Sequence, residues 1–189
     1  MLSLSLMLDP TACKFLSLNV RGLKNKKKSR SIFTYLKDQN CHFYFLQEMY
    51  SEPKCCEWGW EILYSHGTNQ KKGVCILISP QFNGFQMEYS CSNSEGQIIL
   101  ANININCVQI SLCNSFAPNN LQVQNTFVKD LNQFLLSNAN VSWLIVGGDW
   151  NVALGTIHKK GGIPWRPTTL IYWGRKSLIQ NYLLMNQNC

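Results

Sequence analysis

Carboxylates are scarce in this chain of 189 residues, ten against 17 Lys and Arg, so an acid placed where an apolar run ends is conspicuous. Glu48 directly follows the run Phe43 to Gln47, and Asp149 with Asn151 follows Trp143 to Val146 through Gly147 and Gly148. Asn19 closes a third such run, which starts at Lys14. When strands lie in a sheet covered by helices, their ends converge on one rim, where ligands bind. A rim of carboxylates and amides suits Mg²⁺, with Mn²⁺ as the alternative, because a hard cation takes oxygen ligands and leaves positions for substrate phosphates. In that chemistry Glu48 is the natural ligand, and Asp149 either deprotonates an attacking water or joins the metal. The amides of Asn19 and Asn151 can orient phosphate oxygens or the neighbouring carboxylates. Taken singly, each residue also reads as a plain strand or turn cap, since Asp and Asn are turn residues.

The elements that must position these residues are written in the apolar pattern. Lys14 to Val20 reads as a strand that stops at Arg21-Gly22. Ser29 can cap a short helix with Ile32, Phe33 and Leu36 on one face, ending near Asp38 to Asn40. Phe43 to Gln47 is apolar almost throughout, as expected of a central strand with both faces covered. Further strands are expected at Trp60 to Tyr64, Val74 to Ser79, Ile98 to Ile105 and Val108 to Cys113, the last two forming a hairpin about Asn106. Val123, Phe127, Leu131, Phe134 and Leu135 recur at helical spacing, with Asn119 or Asn120 as the cap. Strand Trp143 to Val146 follows. This order describes an α+β or sandwiched architecture in which helices cover sheets.

Composition bounds the rest. Hydrophobic residues make up 46% and charged residues 14% of the chain, enough for a core and too apolar for a disordered tail. The length suits one domain. The formal charge of +7 suits nucleic acid, a phosphorylated metabolite or an acidic membrane surface. Nine cysteines, an odd number without a CxxC pair, several inside apolar runs, read as buried thiols of an intracellular protein, nuclear or cytoplasmic, with no disulfide-linked partner. Met1 to Leu8 lacks a basic region and runs into Asp9-Pro10, so residues 1–13 read as a poorly ordered leader and not a signal peptide. No apolar run reaches the length of a membrane span.

Five ordered blocks carry a resemblance as well as a spacing: Leu18-Asn19-Val20-Arg21-Gly22-Leu23; Phe45-Leu46-Gln47-Glu48; Ser65-His66-Gly67 with Gly73-Val74; Asn114-Ser115-Phe116-Ala117-Pro118-Asn119; and Gly148-Asp149-Trp150-Asn151. Together they resemble the endonuclease/exonuclease/phosphatase superfamily, and most nearly the apurinic-type endonuclease domain of LINE non-LTR retrotransposons. The resemblance covers residues 14–169 and implies a four-layer α/β sandwich of the DNase I-like type, with Mg²⁺-dependent hydrolysis of DNA phosphodiesters. By the same resemblance Asn19 is the active-site asparagine, Glu48 the metal-binding glutamate, Asp149 the water-activating aspartate and Asn151 the orienting asparagine beside it.

Two departures bear on activity. Phe116 stands where the family usually has tyrosine, and the family's further aspartate and closing Ser-Asp-His do not occur in these residues. His42, His66 and His158 each read as a surface or packing residue. Residues 170–189 read as a divergent tail without clean periodicity, and the domain is expected to lack its C-terminal strands. The expected protein is therefore an impaired or inactive endonuclease-like domain. The alternatives are a non-catalytic nucleic-acid-binding remnant and a phosphatase of the same superfamily. Arg21, Lys24, Lys26, Lys27, Lys28 and Arg30 form a basic loop just past Asn19. Phosphate contacts there would make DNA the partner, with an affinity that falls steeply with salt; a solvated loop without a partner is the plain alternative. Lys71, Lys72, Lys159 and Lys160 add to the basic rim, whereas Trp58, Trp60, Trp143 and Trp150 read as packing.

Overall fold

The computed structural model describes residues 13–50, 59–65, 73–82, 84–139, 143–151 and 169–175, the last by their backbone. Two sheets form. The first has the order β1-β2-β4-β3, from β1 (Phe15–Asn19), β2 (Phe43–Gln47), β3 (Glu61–Ser65) and β4 (Val74–Ile78). The second has the order β5-β6-β7-β8-β9, from β5 (Gln86–Ser92), β6 (Ile98–Ile105), β7 (Val108–Phe116), β8 (Trp143–Asp149) and β9 (Thr169–Arg175). Both sheets are mixed: β1 runs parallel to β2 and β7 parallel to β8, and the other pairs are antiparallel.

Alternation along the strands makes the layers. Phe43 and Phe45 of β2, Ile76 and Ile78 of β4, Ile99, Ala101 and Ile103 of β6 and Ile145 of β8 meet between the sheets. Their neighbours face outward. Tyr44, Leu46, Cys75 and Leu77 pack under α1 (Lys26–Asp38) with its Phe33 and Leu36. Ile98, Leu100, Cys113, Leu144 and Val146 pack under α2 (Leu121–Asn138) with its Phe127, Leu131 and Leu135. Helix, sheet, sheet, helix is the four-layer α+β sandwich expected. It follows from strands that are apolar on both faces, a pattern that requires cover on each side.

Several expected elements change in detail. α1 begins at Lys26 and is capped by Asn25, whose Oδ1 accepts from Lys27 N and Lys28 N at 2.9 and 3.2 Å, so Ser29 lies inside the helix. Three lysines in a row read as loop from their charge, yet straight-chain residues lose little rotamer freedom in a helix and Asn25 satisfies the first amides. Part of the expected basic loop is thus the start of α1. β5 has no counterpart among the expected strands; it is an edge strand with a mostly exposed, polar sequence. β7 and β8 run on to Phe116 and Asp149, and residues assigned to the tail form β9, paired with β8 from Asp149↔Thr169 to Trp143↔Arg175. The expected hairpin is present: Asn106 and Cys107 take φ of 50° and 66°, the left-handed pair that joins two twisted strands in a two-residue turn.

Candidate active site

Asn19, the last residue of β1, pairs with Gln47 in the parallel β1/β2 ladder, so its side chain leaves the sheet beside Glu48. Its Nδ2 donates to Glu48 Oε1 at 2.9 Å and to Asp149 Oδ2 at 2.6 Å. One amide therefore ties together carboxylates from the two different sheets. The amide is oriented in turn by its own loop, because Arg21 N donates to Asn19 Oδ1 at 3.0 Å.

Asp149 arrives there by close backbone approach. A Cβ at Gly148 would lie 2.3 Å from the Ser115 carbonyl oxygen, and one at Gly147 would lie 2.5 Å from the Phe45 ring. Only glycine lets β8 lie against β7 and β2 at these positions. Asp149 itself is 2% exposed. Burial raises its carboxyl above the ordinary carboxylate range, and the charge of Glu48 adds to this; the Asn19 bond, the Asn151 amide and Arg21 pull the other way. Asn151 N donates to Asp149 Oδ1 at 3.1 Å. The side chain of Asn151 does not reach the carboxylates: its Nδ2 donates to Ala117 O at 2.6 Å, while Gln124 of α2 donates to Pro118 O and Asn151 O. Asn151 thus serves Asp149 through its backbone, and its amide fastens the turn after β8 to the turn after β7.

Beneath the rim lies a polar node that connects the sheets. Asn114 of β7 donates to Leu46 O at 2.9 Å and Cys75 O at 2.7 Å in the other sheet, and accepts from Gln47 Nε2 at 2.7 Å. Gln47 also donates to Ser17 Oγ and Phe45 O. Both residues are fully buried. Buried amides need such partners, and these particular partners fix the height at which the ends of β2 and β7 meet.

Sequence reasoning missed Tyr50, whose hydroxyl donates to Glu48 Oε2 at 3.0 Å. Glu48 and Tyr50 have φ of 56° and 55°, so the chain turns sharply after β2, a geometry that residue types alone do not reveal. A cleft of about 1130 Å³ opens beside Glu48 and Tyr50 and runs to the first turns of α2, with Lys24, Phe116 and Asn119 along it.

The basic residues divide. Arg21, Lys24, Lys26, Lys27 and Arg30 are exposed around the β1–α1 connection, while Lys28 Nζ is bonded to Arg21 O at 2.8 Å and holds the loop to the helix. Lys71, Lys72, Lys159, Lys160, His66, His158 and Trp58 lie outside the described residues. His42 packs on Phe82 at 5.0 Å and accepts from Lys14 N, a packing role as expected. Trp60 and Trp143 join the core clusters, and Trp150 packs beside α2. Among the described residues no three His, Cys, Asp or Glu side chains come together, and no helix is long and apolar enough to cross a membrane.

No family model matches the chain. Over 145 residues it is 25% identical to an uncharacterized 149 kDa protein of transposon TX1 from Xenopus laevis; the match takes in 73% of this chain and spans 11% of that protein's length. Among solved structures, D. rerio TDP2 humanized by 14 mutations superposes with a TM-score of 0.62 at 16% identity, over 87% of this chain and 82% of that one. D. rerio TDP2 complexed with a single-strand DNA product gives 0.56 at 16% identity, over 74% and 61%. An AP endonuclease from Archaeoglobus fulgidus gives 0.59 at 20% identity, over 77% and 60%.

Proposed function

For a chain with the fold of the endonuclease/exonuclease/phosphatase superfamily and a sequence similar to a transposon protein, we propose that the rim of Asn19, Glu48 and Asp149 is a site for hydrolysis of DNA phosphodiesters. The observation that carries the reading is the Asn19 amide, which bonds Glu48 and Asp149 at once. Like charges drawn together and partly desolvated are costly unless something positive joins them. One amide offsets only part of that cost, and Asp149 keeps a raised pKa. A divalent cation fits this donor set, since two carboxylates at most leave room for water and phosphate oxygens. Glu48, open to the cleft, is the residue that would hold it, and the bound ion would stabilise charge on the phosphate as a Lewis acid.

The chain's own groups have separate parts. Asp149, its carboxyl raised above the ordinary range by burial, is suited to take the proton of an attacking water at Oδ2 or Oδ1. Asn19 holds that carboxylate against Glu48, and the Asn151 backbone amide holds its other oxygen. Arg21 and Lys24, exposed next to the cluster, supply charge for the flanking phosphates. DNA as substrate is supported by the basic rim and by a protein of similar fold, TDP2, whose structure holds a single-strand DNA product. Asn151 enters as a positioning residue. These 189 residues contain no Ser-Asp-His, so the turnover proposed for this stretch taken by itself is slow, because members of a catalytic set act as a unit.

With Mg²⁺, supercoiled plasmid should be nicked slowly, and Glu48→Gln and Asp149→Asn should each abolish it. Nicking that survives both changes would overturn the reading. A second reading, binding without catalysis, is favoured by the exposed cations of α1; salt-dependent DNA binding with no Glu48-dependent nicking would select it. Turnover of a phosphate monoester but not of plasmid would select the phosphatase.

A further inference from the structure

We infer that Tyr50 is a positioning residue that sets the Glu48 carboxylate for a divalent cation, an inference that rests on reading Glu48 as the cation's ligand. Glu48 is held at both oxygens: Asn19 Nδ2 donates to Oε1 at 2.9 Å, and the Tyr50 hydroxyl donates to Oε2 at 3.0 Å. A carboxylate accepts at about four lone-pair sites, so two bonds leave sites on both oxygens open. Its terminal torsion is broad and soft. Held at both ends it cannot turn without breaking a bond, and the ordering a cation would otherwise impose is already done.

The backbone is arranged to put the phenol there. Left-handed φ at Glu48 and at Tyr50, 56° and 55°, is uncommon for residues with a Cβ and persists where the surroundings hold it. Three backbone bonds do so: Gly22 N to Glu48 O at 2.7 Å, Leu23 N to Met49 O at 3.4 Å and Met49 N to Gly73 O at 3.0 Å. The Tyr50 ring then lies over Gly22, where a Cβ would stand 2.5 Å from Cδ2. Gly22, at φ 82°, follows Arg21, so the loop that orients Asn19 also provides the seat for Tyr50. The two donors to Glu48 are therefore set by one loop, and both Glu48 and Tyr50 face the open cleft.

Tyr50→Phe removes the hydroxyl and keeps the ring on Gly22. The test is Mn²⁺ binding by calorimetry to wild type, Glu48→Gln and Tyr50→Phe, with thermal midpoints measured without metal. Loss of an outer partner of a metal ligand typically lowers affinity about 10- to 100-fold. The expected result is binding abolished in Glu48→Gln and weakened about tenfold or more in Tyr50→Phe, whose metal-free midpoint stays near wild type. A merely structural tyrosine would lower the midpoint and leave the affinity unchanged. Wild-type Mn²⁺ affinity in Tyr50→Phe, with Glu48-dependent binding intact, overturns this inference alone. Absence of Glu48-dependent binding in the wild type overturns the reading of the site and this inference with it.

Discussion

Replacing Asn114 with alanine removes three buried hydrogen bonds, and the cost can be worked out group by group. Leu46 O and Cys75 O each lose the donor that reached them from the opposite sheet, while Gln47 Nε2 keeps Ser17 Oγ and Phe45 O. Leu46 and Cys75 remain paired with each other in the β2/β4 ladder, so the loss is three net hydrogen bonds at about 0.5 to 1.5 kcal/mol each. The expected destabilisation is about 3 kcal/mol, a large part of the roughly 5 to 15 kcal/mol that holds a domain folded. At about 2 to 4 °C per kcal/mol for a domain of this size, the midpoint falls by about 6 to 12 °C. Guanidinium unfolding followed by fluorescence of the six tryptophans reads the change. Asn104→Ala is the control, since Asn104 makes a long 3.4 Å bond to Glu88 at an exposed position, and it should stay within about 0.5 kcal/mol of wild type. A loss under about 1 kcal/mol in Asn114→Ala would refute the view that this amide ties the two sheets together.

Gly147→Ala should destabilise by about 1 to 3 kcal/mol in the same assay, because its Cβ enters the Phe45 ring at the sheet interface. Asp149→Asn should abolish nicking and flatten the pH dependence of stability in the metal-free protein. A carboxyl whose folded pKa is raised contributes stability below its unfolded value, near 3.8, and loses it as pH rises through the folded pKa, a loss that an amide does not show. Changing Lys26, Lys27 and Arg30 to Ala should lower the slope of DNA affinity against salt by about 0.9 for each phosphate these side chains neutralise; an unchanged slope would remove α1 from the DNA interface.

Much of the fold was legible because β2, β4, β6 and β8 are apolar runs that need cover on both faces. Asn19, Glu48 and Asp149 were legible for a related reason, as polar residues at the ends of such runs. The parts that were missed depend on contacts distant in sequence. β5 exposes Gln86, Glu88, Tyr89 and Ser90 at a sheet edge, so no core face wrote a pattern into it. β9 is defined by its pairing with β8. The start of α1 was hidden by charge, although Asn25 was there to be read as a cap. Tyr50 gives no local signal, since its bond to Glu48 depends on a left-handed turn and on the space over Gly22. Asn151 stands out by its place beside Asp149, but which of its groups serves that carboxylate follows only from where Ala117 O lies.

The most direct measurement of the central claim, that one amide and two carboxylates form a cation-binding hydrolytic rim, follows the side-chain amide resonances of Asn19 by NMR during a Mg²⁺ titration. Saturable shifts of the Asn19 amide that disappear in Glu48→Gln are the predicted result. An Asn19 amide that does not respond to Mg²⁺, or responds equally without the Glu48 carboxylate, would contradict the account.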